Sequence, residues 1–113
     1  MEMTFLYLSA NTMGSGDDTL GQKLLLSFLQ KLAESDEKVD VIGCANSGIL
    51  LTTAGSAALP ALEKLAARGA RIATCGTCLD HHGLRGKLAI GEVGTMEQTV
   101  GIMTQADKVI HPC

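Results

Sequence analysis

The sequence predicts one α/β domain spanning residues 1–113, built on a mostly parallel sheet of about five strands covered on both faces by helices. Three observations predict it. Short apolar runs of strand length alternate with segments of helical periodicity. Turn formers separate them, with no internal repeat, low-complexity tract or linker. The length, 113 residues, suits one domain, which at this size buries roughly two thirds of the surface its unfolded chain exposes. Apolar residues make up 46% of the chain, yet it has one Tyr, two Phe and no Trp, so its core is aliphatic.

The first strand is "TFLYLS", residues 4–9, which feeds the turn-rich "ANTMGSGDD". A helix follows from Asp18 to Ala33. Leu20, Leu24, Phe28, Leu29 and Leu32 form its apolar stripe, and Asp17 and Asp18 sit where the helix dipole favours negative charge. "KVDVIGC", residues 38–44, is the second strand, with Val39, Val41 and Ile42 inward. The second helix runs from about Ser56 to Arg68 and stops at Gly69; Pro60 places its regular start near Leu59, because proline is tolerated in a first turn.

"ARIATC", residues 70–75, is the third strand. Thr77 and Asp80 have the spacing of a capping box for a short helix that ends near Gly83. "KLAIGEV", residues 87–93, is a fourth strand. Thr95 and Gln98 make a second capping box ahead of the stripe Met96, Val100, Met103 and Ala106, in a helix that Gly101 weakens by about 1 kcal/mol relative to Ala. "DKVIHP", residues 107–112, closes as the fifth strand.

Charge and hydropathy exclude several roles. Twelve acidic residues against nine basic ones give a net charge of −3, with no basic run, so direct nucleic-acid binding is not expected. No segment approaches the roughly 20 apolar residues of a membrane span. The start of the chain lacks the basic region and cleavage pattern of a secretory signal. The expectation is a cytoplasmic protein, in which four cysteines point to reactive thiols rather than a disulfide framework.

In open parallel sheets, ligands and reactive groups gather beyond the carboxyl ends of the strands. Three segments arrive there: Ala10 to Asp17, Ala45 to Thr53, and Cys75 to Asp80. Within "ATCGTCLDHHGLRG", Cys75 ends a strand just before a helix, where unpaired N–H groups favour a thiolate. The alternative is a buried, inert thiol. Cys78 has the spacing of a redox partner for Cys75. A zinc site would draw on Cys75, Cys78 and His81 or His82, with Cys44, Cys113 or His111 closing the shell, but the second clustered pair of a strong zinc motif is missing. His81 and His82 are candidate proton donors beside a thiolate, or simply exposed residues. "NTMGSGDD" lacks the spacing and the lysine of a phosphate loop and reads as a turn with a helix cap. "NSG", residues 46–48, lines the same crevice or makes a tight turn. No metal and no cofactor is expected.

Taken in order, "NTMGSGDDTLG", "NSGILLTTAGS", "CGTCLDHHGL" and "ADKVIHP" resemble the DsrE-like family of small sulfur-handling proteins over nearly the whole chain. They are most similar to the C-terminal domain of YedF-type proteins, which are sulfurtransferase-like and linked to selenium metabolism. His81-His82 stands where an aromatic pair is usual in that branch. The resemblance implies a three-layer, flavodoxin-like α/β/α sandwich and a homo-oligomer, commonly a trimer or hexamer. It also implies a persulfide carried on Cys75, with Cys78 as the second catalytic thiol. Asn11, Asn46, Ser47, Gly48, Gly76, Thr77, His81 and His82 would bind substrate or support the thiols. YedF-like proteins usually carry a TusA-like domain first; it is not in this sequence, so a TusA-like sulfur donor or acceptor would come from another chain.

Two further readings of the residues stay open. One is a non-catalytic oligomeric binding module. The other is a redox or metal switch at Cys75 and Cys78.

Overall fold

A computed structural model describes residues 2–113. Five strands, β1 (Thr4–Leu8), β2 (Val41–Cys44), β3 (Arg71–Cys75), β4 (Glu92–Gly94) and β5 (Lys108–Ile110), form one sheet. Every pairing is parallel, in the order β4-β3-β2-β1-β5. Four helices accompany them: α1 (Asp18–Glu34), α2 (Leu59–Ala67), α3 (Gly76–His81) and α4 (Met96–Gln105). The expected α/β class with a parallel, flavodoxin-like sheet flanked by helices is the observed one.

The strand order follows from handedness. From β1 through β4 each connection moves one place across the sheet in the same direction, whereas β4 to β5 returns across the whole sheet. Right-handed crossovers therefore put α1 and α2 on one face and α4 on the other. Leu6, Leu8, Ile42 and Ile72 of the sheet meet Leu25, Leu29, Leu62 and Leu65 of α1 and α2 in one buried core. Burying each such side chain contributes about 1.5–3 kcal/mol. The opposite face carries Phe5, Tyr7, Val41, Gly43 and Ala73, and α4 covers it sparsely, with no buried residue of its own.

Local signals set several boundaries as expected. Pro60 lies in the first turn of α2. The Thr95–Gln98 capping box is complete: Gln98 N–H donates to Thr95 Oγ1 at 3.2 Å, and Thr95 N–H donates to Gln98 Oε1 at 3.1 Å. Asp17 caps α1 by accepting from Leu20 N–H at 2.8 Å.

Other expectations are corrected. The buried face of α1 is Gly21, Leu25, Leu29 and Ala33, while Leu20 and Leu24 stay 55% and 43% exposed. The helix turns this way because Gly21 packs directly on Thr12, where a Cβ would lie 2.8 Å from Thr12 Cβ. In α4 the stripe Met96, Val100 and Met103 faces solvent, and Thr99, Gly101 and Ile102 are the half-buried positions. The fourth strand begins at Glu92 rather than Lys87. Residues 87–89 are drawn off to residues 52–54, since Ala54 N–H donates to Lys87 O and Ala89 N–H to Thr52 O. The Thr77–Asp80 capping box does not form: α3 starts at Gly76, and the carboxylate of Asp80 receives the Arg85 guanidinium instead, at 2.6 and 2.9 Å.

No helix among the described residues is long and apolar enough to cross a membrane.

Candidate functional site

The carboxyl ends of β1, β2, β3 and β5 converge on one crevice, at the place where the strand order reverses around β1. Three loops and the last residues of the chain build it.

Cys75 ends β3, with φ −57° and ψ 120°, directly ahead of α3. Its thiol is half-buried, as is that of Cys78 one turn into the helix. The two thiols are close neighbours. Burial pushes the Cys78 thiol above the ordinary cysteine range, a backbone N–H from Asn46 opposes this, and the hydrogen bond and charge of the Cys75 side chain raise it again. The Asn46 N–H lies 3.1 Å from Cys78 Sγ.

A 3-10 helix, Asn46–Leu51, delivers that donor. Asn46 enters it with φ +50°, a left-handed conformation that Asn tolerates better than most residues. Gly48 is required because a Cβ there would collide with the carbonyl oxygen of Leu8. Ser47 Oγ accepts from Asn11 N–H at 3.2 Å and so ties the first loop to the second. Asn11, Asn46, Ser47 and Gly48 thus meet at the crevice, but they engage it through backbone groups, a hydroxyl and close packing rather than through an amide side chain.

Below the thiols, Thr74 and Thr52 are fully buried and share a hydrogen bond of 2.7 Å between their hydroxyls. Beside them, Arg85 reaches back over α3 to Asp80 and to the carbonyl of Gly76, at 3.4 Å. The guanidinium holds the Asp80 carboxyl below the usual carboxylate range. Gly76 is buried under that clamp, where a Cβ would lie 2.8 Å from Arg85 Nη2 and 2.9 Å from Val93 Cγ1. Thr77 is exposed.

His81 and His82 project outward, ring against ring, with centroids 5.0 Å apart and planes at 88°. Neither makes a hydrogen bond to a thiol among the described residues. No group of three or more His, Cys, Asp or Glu among the described residues is placed to hold a metal ion.

Four residues join this site that the chain's local patterns did not single out together: Tyr7, Ser9, His111 and Cys113. Ser9 Oγ and His111 Nε2 are 2.7 Å apart, joining the ends of β1 and β5. The Tyr7 ring lies 5.2 Å from the His111 ring and stacks on Phe5 at 5.8 Å. Cys113 Sγ donates to Ala10 O at 3.4 Å. Burial, and then the charges of Cys75, Cys78 and Cys113, push the Tyr7 phenol upward. The alternation of Phe5 and Tyr7 against Leu6 and Leu8 is the one sequence signal that separates Tyr7 from the aliphatic core face.

The arrangement gathers two adjacent half-buried thiols, a third at the end of the chain, and a phenol. Such a set suits thiol exchange and sulfur transfer, in which a thiolate attacks a divalent sulfur.

No protein-family model matches the chain, and no curated protein matches its sequence. Solved structures do match. The crystal structure of the ychN protein from E. coli superposes with a TM-score of 0.74 over 98% of this chain and 99% of that one, at 21% identity. MTH1491 from Methanobacterium thermoautotrophicum, a protein of unknown function, gives a TM-score of 0.67 over 99% of this chain and 100% of that one, at 20% identity. Each likeness spans both chains from end to end, and at these identities what they establish is the fold.

Proposed function

We propose that this protein handles sulfane sulfur, with Cys75 as the acceptor thiol and Cys78 as the thiol that releases the cargo. The observation that carries the proposal is the side-by-side placement of two half-buried thiols at the carboxyl end of β3, one of them receiving a backbone N–H. The resemblance of the sequence to DsrE-like proteins supports it, as does the fold shared with the two solved structures. The link to selenium metabolism rests on the "CGTCLD" segment alone.

In the loading step the Cys75 thiolate attacks the outer sulfur of a persulfide donor. The donor's S–S bond breaks, its thiolate leaves with the electron pair, and Cys75 carries the new S–S bond. In the release step the Cys78 thiolate attacks Cys75 Sγ, hydrosulfide departs, and a Cys75–Cys78 disulfide remains. An external dithiol reduces that disulfide and resets the site. A TusA-like protein is the proposed exchange partner.

Intact-mass analysis after incubation with a persulfide donor tests the proposal. The expected result is the addition of one sulfur atom, lost in Cys75→Ser and retained in Cys78→Ser. No adduct on the wild-type chain would overturn it.

The same proposal includes a homo-oligomer. It is supported by the outward stripe of α4, where Met96 and Val100 are 56% and 55% exposed. Val100→Glu is expected to lower the assembled mass in light scattering while leaving the far-ultraviolet circular dichroism spectrum unchanged. An unchanged mass in the variant would place the contact elsewhere.

A further inference from the structure

A cavity of about 330 Å³ lies between the sheet and α4, on the face opposite the core, and Cys75 is part of its wall. Its shape follows from the sequence of β3. Arg71, Ala73 and Cys75 alternate onto this face, so the cavity runs along the strand for about 13 Å, from Arg71 at one end to Cys75 at the other. The floor is hollow because small residues meet there. Gly43 pairs with Ala73, Gly94 pairs with Cys75, and a Cβ on Gly94 would come within 3.0 Å of the Ala73 methyl. The roof stands off because α4 buries no residue.

The lining selects by chemistry. Phe5, Val41, Ala73 and Ile102 supply apolar surface. The charged wall residues, Arg71 and Glu92, are paired with each other at 2.7 Å. The polar residues that line it from α4 and its cap, Thr95, Gln98, Thr99 and Gln105, are neutral. With no unpaired cation among the described residues that line it, the cavity offers no partner to a phosphate or a multiply charged donor. Its volume equals that of about ten water molecules, enough for an organic group of similar size.

We propose that this cavity binds the organic part of a small apolar persulfide, R–S–SH, and presents its outer sulfur to Cys75. The inference rests on the sulfur-acceptor role of Cys75 and names the class of donor. Cys75 thiolate forms a bond to the outer sulfur, the donor's S–S bond breaks, and R–S⁻ leaves with the electron pair and takes up a proton. The sulfane sulfur passes from one thiol to another with no net oxidation.

Gly101 gives the test. It borders the cavity, and a Cβ built on it meets nothing within 4 Å, so Gly101→Phe adds bulk without a clash at its first atom. Loading of Cys75 is followed by intact mass with two donors, benzyl persulfide and sodium tetrasulfide. The expected result is at least a tenfold slower loading from benzyl persulfide in Gly101→Phe, with the tetrasulfide rate within twofold of wild type. Equal slowing with both donors, or with neither, overturns the proposal. A second arm needs no sulfur transfer: benzyl mercaptan titrated into the Cys75→Ser protein should shift the amide resonances of Gly43, Gly94 and Gly101 saturably. Absence of those shifts overturns the cavity assignment. If the shifts appear while no donor loads wild-type Cys75, the site binds its ligand and it is the sulfur-acceptor role that fails. Loading from benzyl persulfide that slows as protein concentration rises would assign the cavity to a second copy of the chain and overturn the small-donor reading.

Discussion

The backbone N–H of Asn46 donates to the Sγ of Cys78 at 3.1 Å, joining the loop after β2 to the first turn after β3. This contact gives Cys78 a fixed backbone donor from a neighbouring loop. The donor is a backbone group held by an unusual torsion, so the side chain at position 46 acts by permitting that torsion. Asn46→Gly should keep the contact at near-wild-type stability, whereas Asn46→Ala should cost about 1–2 kcal/mol. Chemical denaturation of the two variants checks the order.

Cys78 is raised first by burial and then by Cys75, against the pull of Asn46. Cys75→Ala removes the hydrogen bond and the charge that raise it. The Cys78 midpoint should therefore move down, and its alkylation at neutral pH should speed up. A pH profile of iodoacetamide labelling, read by mass, measures this; a midpoint that stays or rises contradicts the geometry.

Thr52 and Thr74 make an asymmetric pair. Thr52 Oγ1 also donates to Ile49 O at 3.2 Å, so it keeps a partner when Thr74 is changed. Thr74 has no such alternative. Thr52→Val should leave the Thr74 hydroxyl stranded at a cost of about 1–3 kcal/mol, whereas Thr74→Val should cost about 1 kcal/mol. The double variant should recover part of the larger loss. Urea midpoints of the three proteins decide the order.

Cys44 is fully buried, and burial, followed by the charge of Cys113, pushes its thiol from 9.0 up to about 12. Its folded-state value lies above its unfolded one, so the stability it contributes is whole below pH about 9. That contribution is lost as the pH rises from there through about 12, to a total of order 4 kcal/mol. Cys44→Ala should flatten that part of the stability curve while costing about 1 kcal/mol at neutral pH through lost packing. Parallel slopes for the two proteins in alkaline denaturation would contradict it.

The order of the elements was legible in the chain because the signals that set it are local. Pro60 starts α2, Thr95 and Gln98 start α4, and apolar runs mark the strands. The thiol pair was legible for the same reason, since Cys75 and Cys78 are separated by one turn of helix. What local pattern misjudged was direction. Leu20 and Leu24 look like core residues of α1 until Gly21 settles on Thr12 and turns them outward. Asp80 looks like a cap until Arg85 takes its carboxylate.

The sequence by itself determined an aliphatic α/β fold with a pair of cysteines at a strand end. Tertiary structure alone decided the rest of the site. Ser9 and His111 are 102 residues apart in the chain, and the parallel pairing of β1 with β5 brings them within 2.7 Å. Tyr7 and Cys113 reach the thiols through the same pairing, and the cavity beside Cys75 exists because Gly43, Ala73 and Gly94, from three strands, fall side by side. A long-range pairing has no local signature, because its stability comes from surface buried between segments that are distant in the chain. That is why the sequence named the two thiols, and the packing of the sheet decided what surrounds them.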